Sequence, residues 1–355
     1  MPYGFRDPIV VGRREVGTGQ ACFVVAEVGS NHNMSLSMAK ELIRAASEAG
    51  ADAVKFQSQK LEEQYVAERE PAEFVAFFRR TELPEEWYPE LGDEAAKSGV
   101  VFFSSPTYLR AVDLLEGVGV PIFKIASPQA ATDPVLVARV ARTGKPMIVS
   151  TGMVTYDGVT EVMRICAAAG NDQVAILHCV SRYPTPPGEA NLRLMLTYHA
   201  MFGCPVGFSD HTEGHHVAVA AVALGASVLE KHITLDRRLP GPDHAFAIEP
   251  AEFATMVRRV RDVEVSLGSG VRLELPDDLR AFVDRITMRL VAAHDIAAGA
   301  AVSGQSFVYR RTREGIPVAQ LARLEGAIAL APIPAWTPVR WNQLRLRGDE
   351  PFRSG

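Results

Sequence analysis

Eight successive apolar runs of this sequence each finish with polar side chains. These side chains are of the chemical types that bind metals and anions. The runs finish at Glu27, at Lys55 and Gln57, at Ser104 and Ser105, at Lys124 and Ser127, at Ser150 and Thr151, at His178, at Ser209-Asp210-His211, and at Glu230 and His232. One polar residue after an apolar run is typical of any strand that meets solvent. Eight in succession indicate chemistry collected at one edge of a sheet, where the carboxyl ends of parallel strands meet.

His211 and His232 end the last two of these runs. Adjacent strands would bring the two imidazoles within a few ångströms of each other. Neutral imidazoles with open coordination positions suit Mn²⁺ or a similar divalent ion that must also hold water or substrate. The alternative is a pair of unrelated histidines that happen to cap neighbouring strands.

Lys55 and Lys124 end buried runs, and an ammonium group buried there is costly unless an anion lies beside it. The serines at the other run ends are potential hydroxyl donors. A serine in such a place is weak evidence of function by itself.

Alternating strands and helices must position these side chains. Each apolar run is rich in Val, Ile and Phe, as expected for parallel strands, and is followed by a helical pattern such as 36–49, which stops at Gly50. This α/β layout fits a (β/α)₈ TIM barrel better than an open doubly wound sheet. No G-x-G-x-x-G motif follows a strand, which disfavours dinucleotide binding.

Three regions divide the chain. We predict the barrel domain over residues 1–268 and a linker over 269–286, where strand signals are few. Residues 287–348 have short strand patterns between Gly and Pro turns, which predicts a small, mostly β domain. A domain of about sixty residues usually needs help from a partner surface.

Composition excludes several classes of protein. The 355 residues carry a net charge of −5, so the sequence lacks the excess of positive charge that favours binding to nucleic acid or anionic membranes. The longest apolar stretch, 217–229, is shorter than the roughly 18 residues that a membrane span needs. The N-terminus has no basic stretch before an apolar run, so we expect no signal peptide. The four cysteines lack metal-type spacing and are expected to be reduced in a cytoplasmic protein.

Ordered motifs from about Val24 to about Leu344 make the chain resemble the sialic acid synthase family, on its neuraminate and legionaminate side. The motifs are AEVGSNHN, DAVKFQ, FSSP, FKIAS, STGM, LHCVSRYPTPP, GFSDHTEG and LEKHITLDRRLPGPDH. The resemblance implies condensation of phosphoenolpyruvate with an N-acylated hexosamine, N-acetylmannosamine or a 2,4-diacetamido-trideoxyhexose. The product would be a nonulosonic acid, formed with C–O cleavage and release of phosphate. It also implies a divalent metal, a domain-swapped homodimer and a C-terminal antifreeze-like (SAF, β-clip) domain.

The resemblance also assigns roles to residues. His211 and His232 would hold the metal, for which we expect Mn²⁺, with Mg²⁺ and Co²⁺ as alternatives. The catalytic positions would be Glu27, Lys55, Lys124 and Gln129, with the two lysines neutralising the phosphate. The substrate-binding positions would be Gln57, Ser105, Ser127, Ser150, Ser181, Tyr183, Ser209, Asp243 and Arg311. Among these, Glu27, Tyr183 and Asp243 would hold the sugar, and Arg311 would reach the barrel of the partner subunit.

Four places depart from the family pattern. Gln129 stands where the family has Glu in S-G-E, and an amide cannot carry charge or serve as a base. Met34 replaces a Gly in the first loop. The other departures are Thr312 and Arg313 beside Arg311, and Met288 and Arg289 at the start of the small domain.

These departures leave two alternative functions open. One is a phosphoenolpyruvate-dependent barrel synthase for a different aldehyde. The other is a catalytically weakened paralogue that binds a sugar. A metal-dependent hydrolase is disfavoured because an early His-x-His motif is absent and lysines end two strands.

Overall fold

The structure is a computed structural model that describes residues 4–348, so the first three residues of the predicted barrel domain lie outside the described residues. The chain divides into two compact units, Met1–Ser269 and Gly270–Gly355. The predicted end of the barrel domain, residue 268, lies one residue before this division.

A parallel sheet of eight strands dominates the described part of the first unit. Its strands are β3 (Phe23–Gly29), β4 (Ala53–Ser58), β5 (Val101–Pro106), β6 (Phe123–Ile125), β7 (Met147–Ser150), β8 (Val174–Cys179), β9 (Val206–Asp210) and β10 (Val228–His232). The strand order is β5-β4-β3-β10-β9-β8-β7-β6, and β5 and β6 lie side by side without ladder hydrogen bonds. The first and last strands of this order therefore meet, which confirms the predicted TIM barrel.

Helices follow the strands and cover the outside of the barrel. They are α1 (Leu36–Glu48), α2 (Leu61–Gln64), α3 (Ala72–Arg79), α4 (Tyr88–Ser98), α5 (Leu109–Gly117), α6 (Ser127–Thr132), α7 (Pro134–Ala141), α8 (Tyr156–Ala168), α9 (Leu194–Phe202), α10 (His216–Ala223) and α11 (Pro250–Leu267). Short 3₁₀ turns occupy Ala67–Arg69, Glu85–Trp87, Pro187–Glu189 and His244–Phe246.

Helix α1 illustrates why the sequence forms these elements. The Ser35 side chain accepts a hydrogen bond from the Met38 amide and so satisfies one of the free N–H groups of the first turn. Leu42 and Ile43 are buried on the face that meets the sheet. The chain then turns at Gly50, whose φ of 89° is strained for any residue with a side chain.

A hairpin that the sequence reading did not predict precedes the barrel. Its strands are β1 (Ile9–Val11) and β2 (Arg14–Val16), paired antiparallel. Arg14 forms an ion pair with Asp52, just before β4, and the Val10 amide donates to Gln173, just before β8. The hairpin therefore lies across the amino ends of the strands, at the end of the barrel opposite to the polar strand ends.

The second unit contains a helix and short antiparallel strands. Helix α12 (Asp277–Ile286) forms within the range predicted as a linker, and two aspartates in its first turn complement the helix dipole. The strands are β11 (Met288–Ala292), β12 (Phe307–Arg311), β13 (Ile328–Ala329) and β14 (Leu344–Arg345), with 3₁₀ turns at Gly304–Ser306, Val318–Leu324 and Trp341–Gln343. The unit has its own apolar core, which includes Leu290, Phe307 and Val339. Its identity as an SAF domain stays a prediction.

No helix within residues 4–348 combines the length and the apolar character that crossing a membrane requires. The four cysteines are buried and free.

Candidate active site

A cavity of about 250 Å³ at the carboxyl ends of the barrel strands brings most of the predicted site residues together. Those that line it are Glu27, Lys55, Gln57, Ser105, Lys124, Ser127, Gln129, Ser150, Ser181, Tyr183, Ser209, His211 and His232. Asp243 lies outside the lining, and Arg311 belongs to the second unit.

Side-chain alternation along the strands decides which polar residues face this cavity. Among the lining residues two positions apart are Lys55 and Gln57, Ser209 and His211, and Glu230 and His232. Residues two apart on a strand share a face, and the residues between them point the other way. Asp210 and Lys231 are such intervening residues, and they are buried against each other outside the cavity with Nζ and Oδ2 2.9 Å apart.

Glu230 is the main functional candidate that the sequence reading missed. Lys124 Nζ lies 2.9 and 2.7 Å from its two carboxylate oxygens, and the Ser209 hydroxyl donates to one of them at 2.9 Å. Lys55 Nζ lies 3.8 Å away. A signal was present in the sequence, because Glu230 precedes the predicted ligand His232 by two residues and so shares its face.

Glu27 is the second carboxylate of the cavity. Its Oε2 lies 2.7 Å from Lys55 Nζ, and its Oε1 accepts from Gln57 Nε2 at 2.7 Å. Lys55 also donates to the Ser105 hydroxyl at 3.3 Å. Each of the two lysines that were expected to bind a phosphate is thus paired with a carboxylate. A buried ammonium group needs such an anion beside it.

The pKa values of these groups shift for identifiable reasons. Burial favours the neutral form of Glu230, but the charges of Lys124 and Lys55 outweigh it and lower the pKa to about 2. Burial raises the pKa of Glu27, and Lys55 offsets this only in part. Burial opposes the charge of Lys55, yet Glu230 and Glu27 raise its pKa overall. Glu230 therefore favours its ionised form, and Glu27 is the carboxylate better able to hold a proton.

At Gly152 the backbone passes close to neighbouring side chains, and three of the predicted serines surround it: Ser127, Ser150 and Ser181. The Gly152 amide donates to Ser127 Oγ at 2.9 Å. A Cβ at this glycine would lie 2.4 Å from Ser181 Oγ and 2.6 Å from Cys179 Sγ. Ser150 Oγ is buried without a hydrogen-bond partner. This hydroxyl is consequently a free donor for a ligand oxygen.

The two histidines expected to bind metal face each other across the cavity, with ring centroids 5.6 Å apart. His211 Nδ1 donates to the Val180 carbonyl at 2.8 Å, which directs the lone pair of Nε2 towards the cavity. His232 Nδ1 is buried without a partner. Burial is the main cause that lowers the pKa of each imidazole to about 4, so both are neutral at physiological pH.

These two imidazoles fit the requirements of a divalent transition metal, because both are neutral and the buried Nδ1 of His232 has no hydrogen-bond partner. Within residues 4–348 no cluster of three or more His, Cys, Asp or Glu side chains has the arrangement of a metal site. A metal held here would therefore keep positions for water or substrate.

The loops above the strands hold the remaining candidates. Tyr183 stacks on His211 with ring centroids 4.2 Å apart and is half exposed. Asp243 accepts from the Ser30 amide and hydroxyl at 3.2 and 3.0 Å. Gln129 lines the cavity from α6 with its side chain partly exposed. Met34 has a φ of 55°, which explains why a glycine is easily accommodated at this position.

Arg311 ends β12 in the second unit, and its side chain is exposed. The contact predicted for it in a partner subunit stays a prediction.

The chain is similar in sequence to known sugar-acid synthases. Residues 42–272 match the model of the NeuB family. The chain is 34% identical to the N,N'-diacetyllegionaminic acid synthase of Campylobacter jejuni over 319 residues, which cover 86% of this chain and 95% of the relative. It is 40% identical to an uncharacterized protein of Methanocaldococcus jannaschii, with 89% of this chain and 92% of the relative covered.

A solved structure extends the similarity to the fold. The N-acetylneuraminic acid (sialic acid) synthetase of Leptospira borgpetersenii, crystallised with citrate, superposes with a TM-score of 0.72 at 31% identity. The match covers 78% of this chain and 95% of that one. The resemblance to sialic acid synthases noted from the motifs is confirmed.

Proposed function

The chain belongs to the NeuB family, and from this we propose that it condenses phosphoenolpyruvate with an N-acylated hexosamine to form a nonulosonic acid and phosphate. The proposal rests on one observation. Four side chains are buried together at the floor of the cavity, below two neutral histidines: Lys55, Lys124, Glu27 and Glu230. Groups of this kind can hold an anionic donor and an aldehyde acceptor next to each other.

The donor would bind on the side of Lys55 and Lys124. Its phosphate and carboxylate need cations and hydrogen-bond donors, and both lysines lie beside hydroxyl groups. Ser150 has a free hydroxyl, and Ser105 is within reach of Lys55. Glu230 stays ionised and holds Lys124 in place, so the ammonium group is positioned before the donor arrives.

The acceptor would lie between the donor and the histidines. Tyr183 covers His211 and so forms one wall of this position. We propose that His211 and His232 hold a divalent ion, Mn²⁺ for preference, which when bound would polarise the aldehyde of the open-chain sugar. Asp243, which the Ser30 hydroxyl orients, would accept hydrogen bonds from sugar hydroxyls.

The proposed reaction joins the two substrates and releases phosphate. The methylene carbon of phosphoenolpyruvate bonds to the aldehyde carbon, whose oxygen takes up a proton and becomes a hydroxyl. Water adds to the cationic C2 and loses one proton. The C2–O bond to phosphate then breaks, and the second proton of that water passes to the departing phosphate as C2 becomes the keto carbon. Glu27 can hold the proton that moves between these steps, because burial raises the pKa of its carboxyl group. Lys55 and Lys124 would neutralise the departing phosphate.

Gln129 keeps two alternative functions open. With an amide in place of the family carboxylate, the chain could be a synthase for a different aldehyde or a paralogue with weakened catalysis. The carboxylates of Glu27 and Glu230 at the same site favour an active synthase.

We also propose that the enzyme is a cytoplasmic homodimer in which Arg311 contacts the sugar of the partner subunit. Replacing Arg311 by Ala should then reduce kcat/KM while the dimer persists in analytical ultracentrifugation. Unchanged kinetics in this variant would refute the contact.

A direct assay tests the proposed function. The protein is incubated with phosphoenolpyruvate, Mn²⁺ and either N-acetylmannosamine or 2,4-diacetamido-2,4,6-trideoxymannose, and phosphate release is followed together with the product mass. Release of phosphate that depends on the sugar supports the proposal. Absence of release with both sugars, under several divalent metals, would exclude it.

A further inference from the structure

Cys179 is a side chain of the active-site cavity to which the proposed reaction gives no role. It ends β8, pairs in register with Ser209 on β9, and is 4% exposed. Of the four cysteines, all of which lie within residues 4–348, it is the one that lines the cavity. Its position among the serines expected to bind the donor raises the question of what its thiol does there.

The thiol meets the hydroxyl group of Ser127. Cys179 Sγ and Ser127 Oγ lie 3.1 Å apart, and either group could donate a hydrogen bond to the other. The Gly152 amide also donates to Ser127 Oγ, at 2.9 Å. The backbone passes so close here that a Cβ at Gly152 would lie 2.6 Å from the sulfur. The three groups therefore form a tightly packed unit with little room to rearrange.

The direction of the bond between Cys179 and Ser127 decides what Ser127 can offer to a ligand. A hydroxyl group has one hydrogen to donate and two lone pairs that can accept. The Gly152 amide takes one lone pair. If Ser127 donated to the sulfur, its hydrogen would be engaged within the protein and a ligand would meet only a lone pair. If the thiol donates instead, both lone pairs are filled and the hydroxyl hydrogen is left for the ligand.

The surroundings favour the thiol as the donor. Burial is the main cause that raises the pKa of Cys179, so the sulfur keeps its hydrogen at neutral pH. Ser150 lines the same cavity, and its Oγ is buried without a hydrogen-bond partner, which indicates a ligand oxygen as the missing acceptor. Lys124 also lines this cavity and supplies positive charge. An anion bound beside these groups offers acceptors, so the hydroxyl group of Ser127 must donate to it.

Building on the proposed function, we propose that Cys179 is a positioning residue for the donor substrate. Its thiol donates to Ser127 Oγ, and together with the Gly152 amide it turns the Ser127 hydroxyl hydrogen towards an oxygen of phosphoenolpyruvate. Cys179 acts through Ser127 and takes part in no bond that forms or breaks. The inference rests on the proposed function for the identity of the anion.

Calorimetric titration with phosphoenolpyruvate, with Mn²⁺ present and the sugar absent, measures donor binding. Cys179→Ala should raise the Kd by about three- to tenfold, the value of one neutral hydrogen bond. In the phosphate-release assay the KM for phosphoenolpyruvate should rise with it, and the KM for the sugar should not. Cys179→Ser keeps a donor and should recover most of the loss. Equal affinities in the Ser and Ala variants would overturn the inference, because a side chain that only fills space would not distinguish them.

Two comparisons show whether the effect passes through Ser127. Cys166→Ala removes a buried thiol on α8 that lies 3.8 Å from Met147 Sδ and does not line the cavity, so the Kd should stay unchanged. In a Ser127→Ala background, Cys179→Ala should cause no further loss, because the group that it positions is already gone. A loss in Cys166→Ala as large as in Cys179→Ala, or full additivity with Ser127→Ala, would overturn the inference.

Infrared spectroscopy tests the hydrogen bond without any ligand. The S–H stretching band of Cys179 is identified as the band that Cys179→Ser removes. Ser127→Ala should shift it to higher frequency, because a thiol that donates a hydrogen bond absorbs at lower frequency than a free one. A band that does not move would overturn the inference and leave the proposed function standing, even if Cys179→Ala failed to fold. Absence of phosphoenolpyruvate binding to the wild type would overturn the proposed function, and the inference with it.

Discussion

Lys124 and Glu230 form a two-point ion pair across the barrel interior. Lys124 lies on β6 and Glu230 on β10, which are four strands apart in the sheet and therefore opposite each other in the barrel. The ammonium nitrogen contacts both carboxylate oxygens, at 2.9 and 2.7 Å. The pair joins residues 106 positions apart in sequence and connects the two halves of the barrel.

Removing one partner of this pair should destabilise the barrel strongly. Lys124→Met leaves the buried carboxylate of Glu230 without its main counter-charge, and we expect a loss of about 3–5 kcal/mol in the free energy of unfolding. The double variant Lys124→Met, Glu230→Leu should recover most of that loss yet remain inactive. Urea denaturation measures the first effect and phosphate release the second.

A surface pair provides the control for that experiment. Lys40 lies 2.6 Å from Glu90 on the exposed side of the barrel, and Lys40→Met should cost less than about 1 kcal/mol. A double variant that is both stable and fully active would show that the pair at the floor takes no part in catalysis.

A methyl group at Gly152 should impair catalysis. A Cβ there would overlap Ser181 Oγ and Cys179 Sγ and would lie 3.1 Å from Ser127 Oγ, so the serines would have to shift. We expect Gly152→Ala to lower kcat/KM by about 100-fold, as displacements of the order of 1 Å do in an active site. Gly117→Ala is the control, because no heavy atom lies within 4 Å of the added Cβ. Equal kcat/KM values for the two variants would contradict the prediction.

Metal binding should depend on His211. Calorimetric titration of the protein with Mn²⁺ should show a binding site, and His211→Ala should weaken the Mn²⁺ affinity of that site. The loss should exceed the about 10- to 100-fold that follows from removing a group that only orients a metal ligand. His294→Ala changes an exposed histidine of the second unit and should leave the titration unaltered. Mn²⁺ affinity that survives in His211→Ala would place the metal elsewhere.

His32 should make the stability of the barrel depend on pH. Burial lowers the pKa of this imidazole from its usual 6.5 to about 4. Between these two values the unfolded chain takes up a proton that the folded barrel does not, so stability falls as the pH falls. The shift corresponds to about 3 kcal/mol.

The comparison that isolates this effect uses His32→Gln, which cannot titrate. Between pH 6.5 and pH 4 the wild-type protein should lose about 3 kcal/mol more of its unfolding free energy than the variant. His294→Gln, at an exposed position, should behave like the wild type. Parallel pH profiles for wild type and His32→Gln would show that His32 ionises normally in the folded state.

Restoring the family carboxylate at position 129 should have a modest effect. The cavity already contains Glu27 and Glu230, so we expect Gln129→Glu to change kcat by less than about tenfold, well below the roughly 100- to 10,000-fold that a general acid or base supplies. Gln129→Ala serves as the control for the loss of the amide. An increase well above tenfold in Gln129→Glu would favour the weakened paralogue instead.

The sequence predicted the barrel well because each strand is a short apolar run followed by a helix, and these local signals agree with the global fold. The hairpin β1–β2 was missed because three-residue strands are too short to show a period. Helix α12 was missed for a different reason. Leu279, Phe282, Val283 and Ile286 recur at helical spacing, so the apolar stripe was present in the sequence, but the segment is short and none of its residues is buried in the structure.

The strand ends and the family motifs predict most of the residues that line the site. They do not predict how these residues pair, because Lys124 and Glu230 meet only when the barrel brings opposite strands together. Asp210 and Lys231 illustrate the same limit, since they stand among the predicted site residues in sequence and yet point away from the cavity.

The hairpin contacts the barrel through Arg14 and Val10, beside the residues that precede β4 and β8. Both contacts lie at the amino ends of the strands, and no hairpin residue lines the active-site cavity. Substitutions in the hairpin should therefore change the stability of the barrel and leave its catalytic side chains in place.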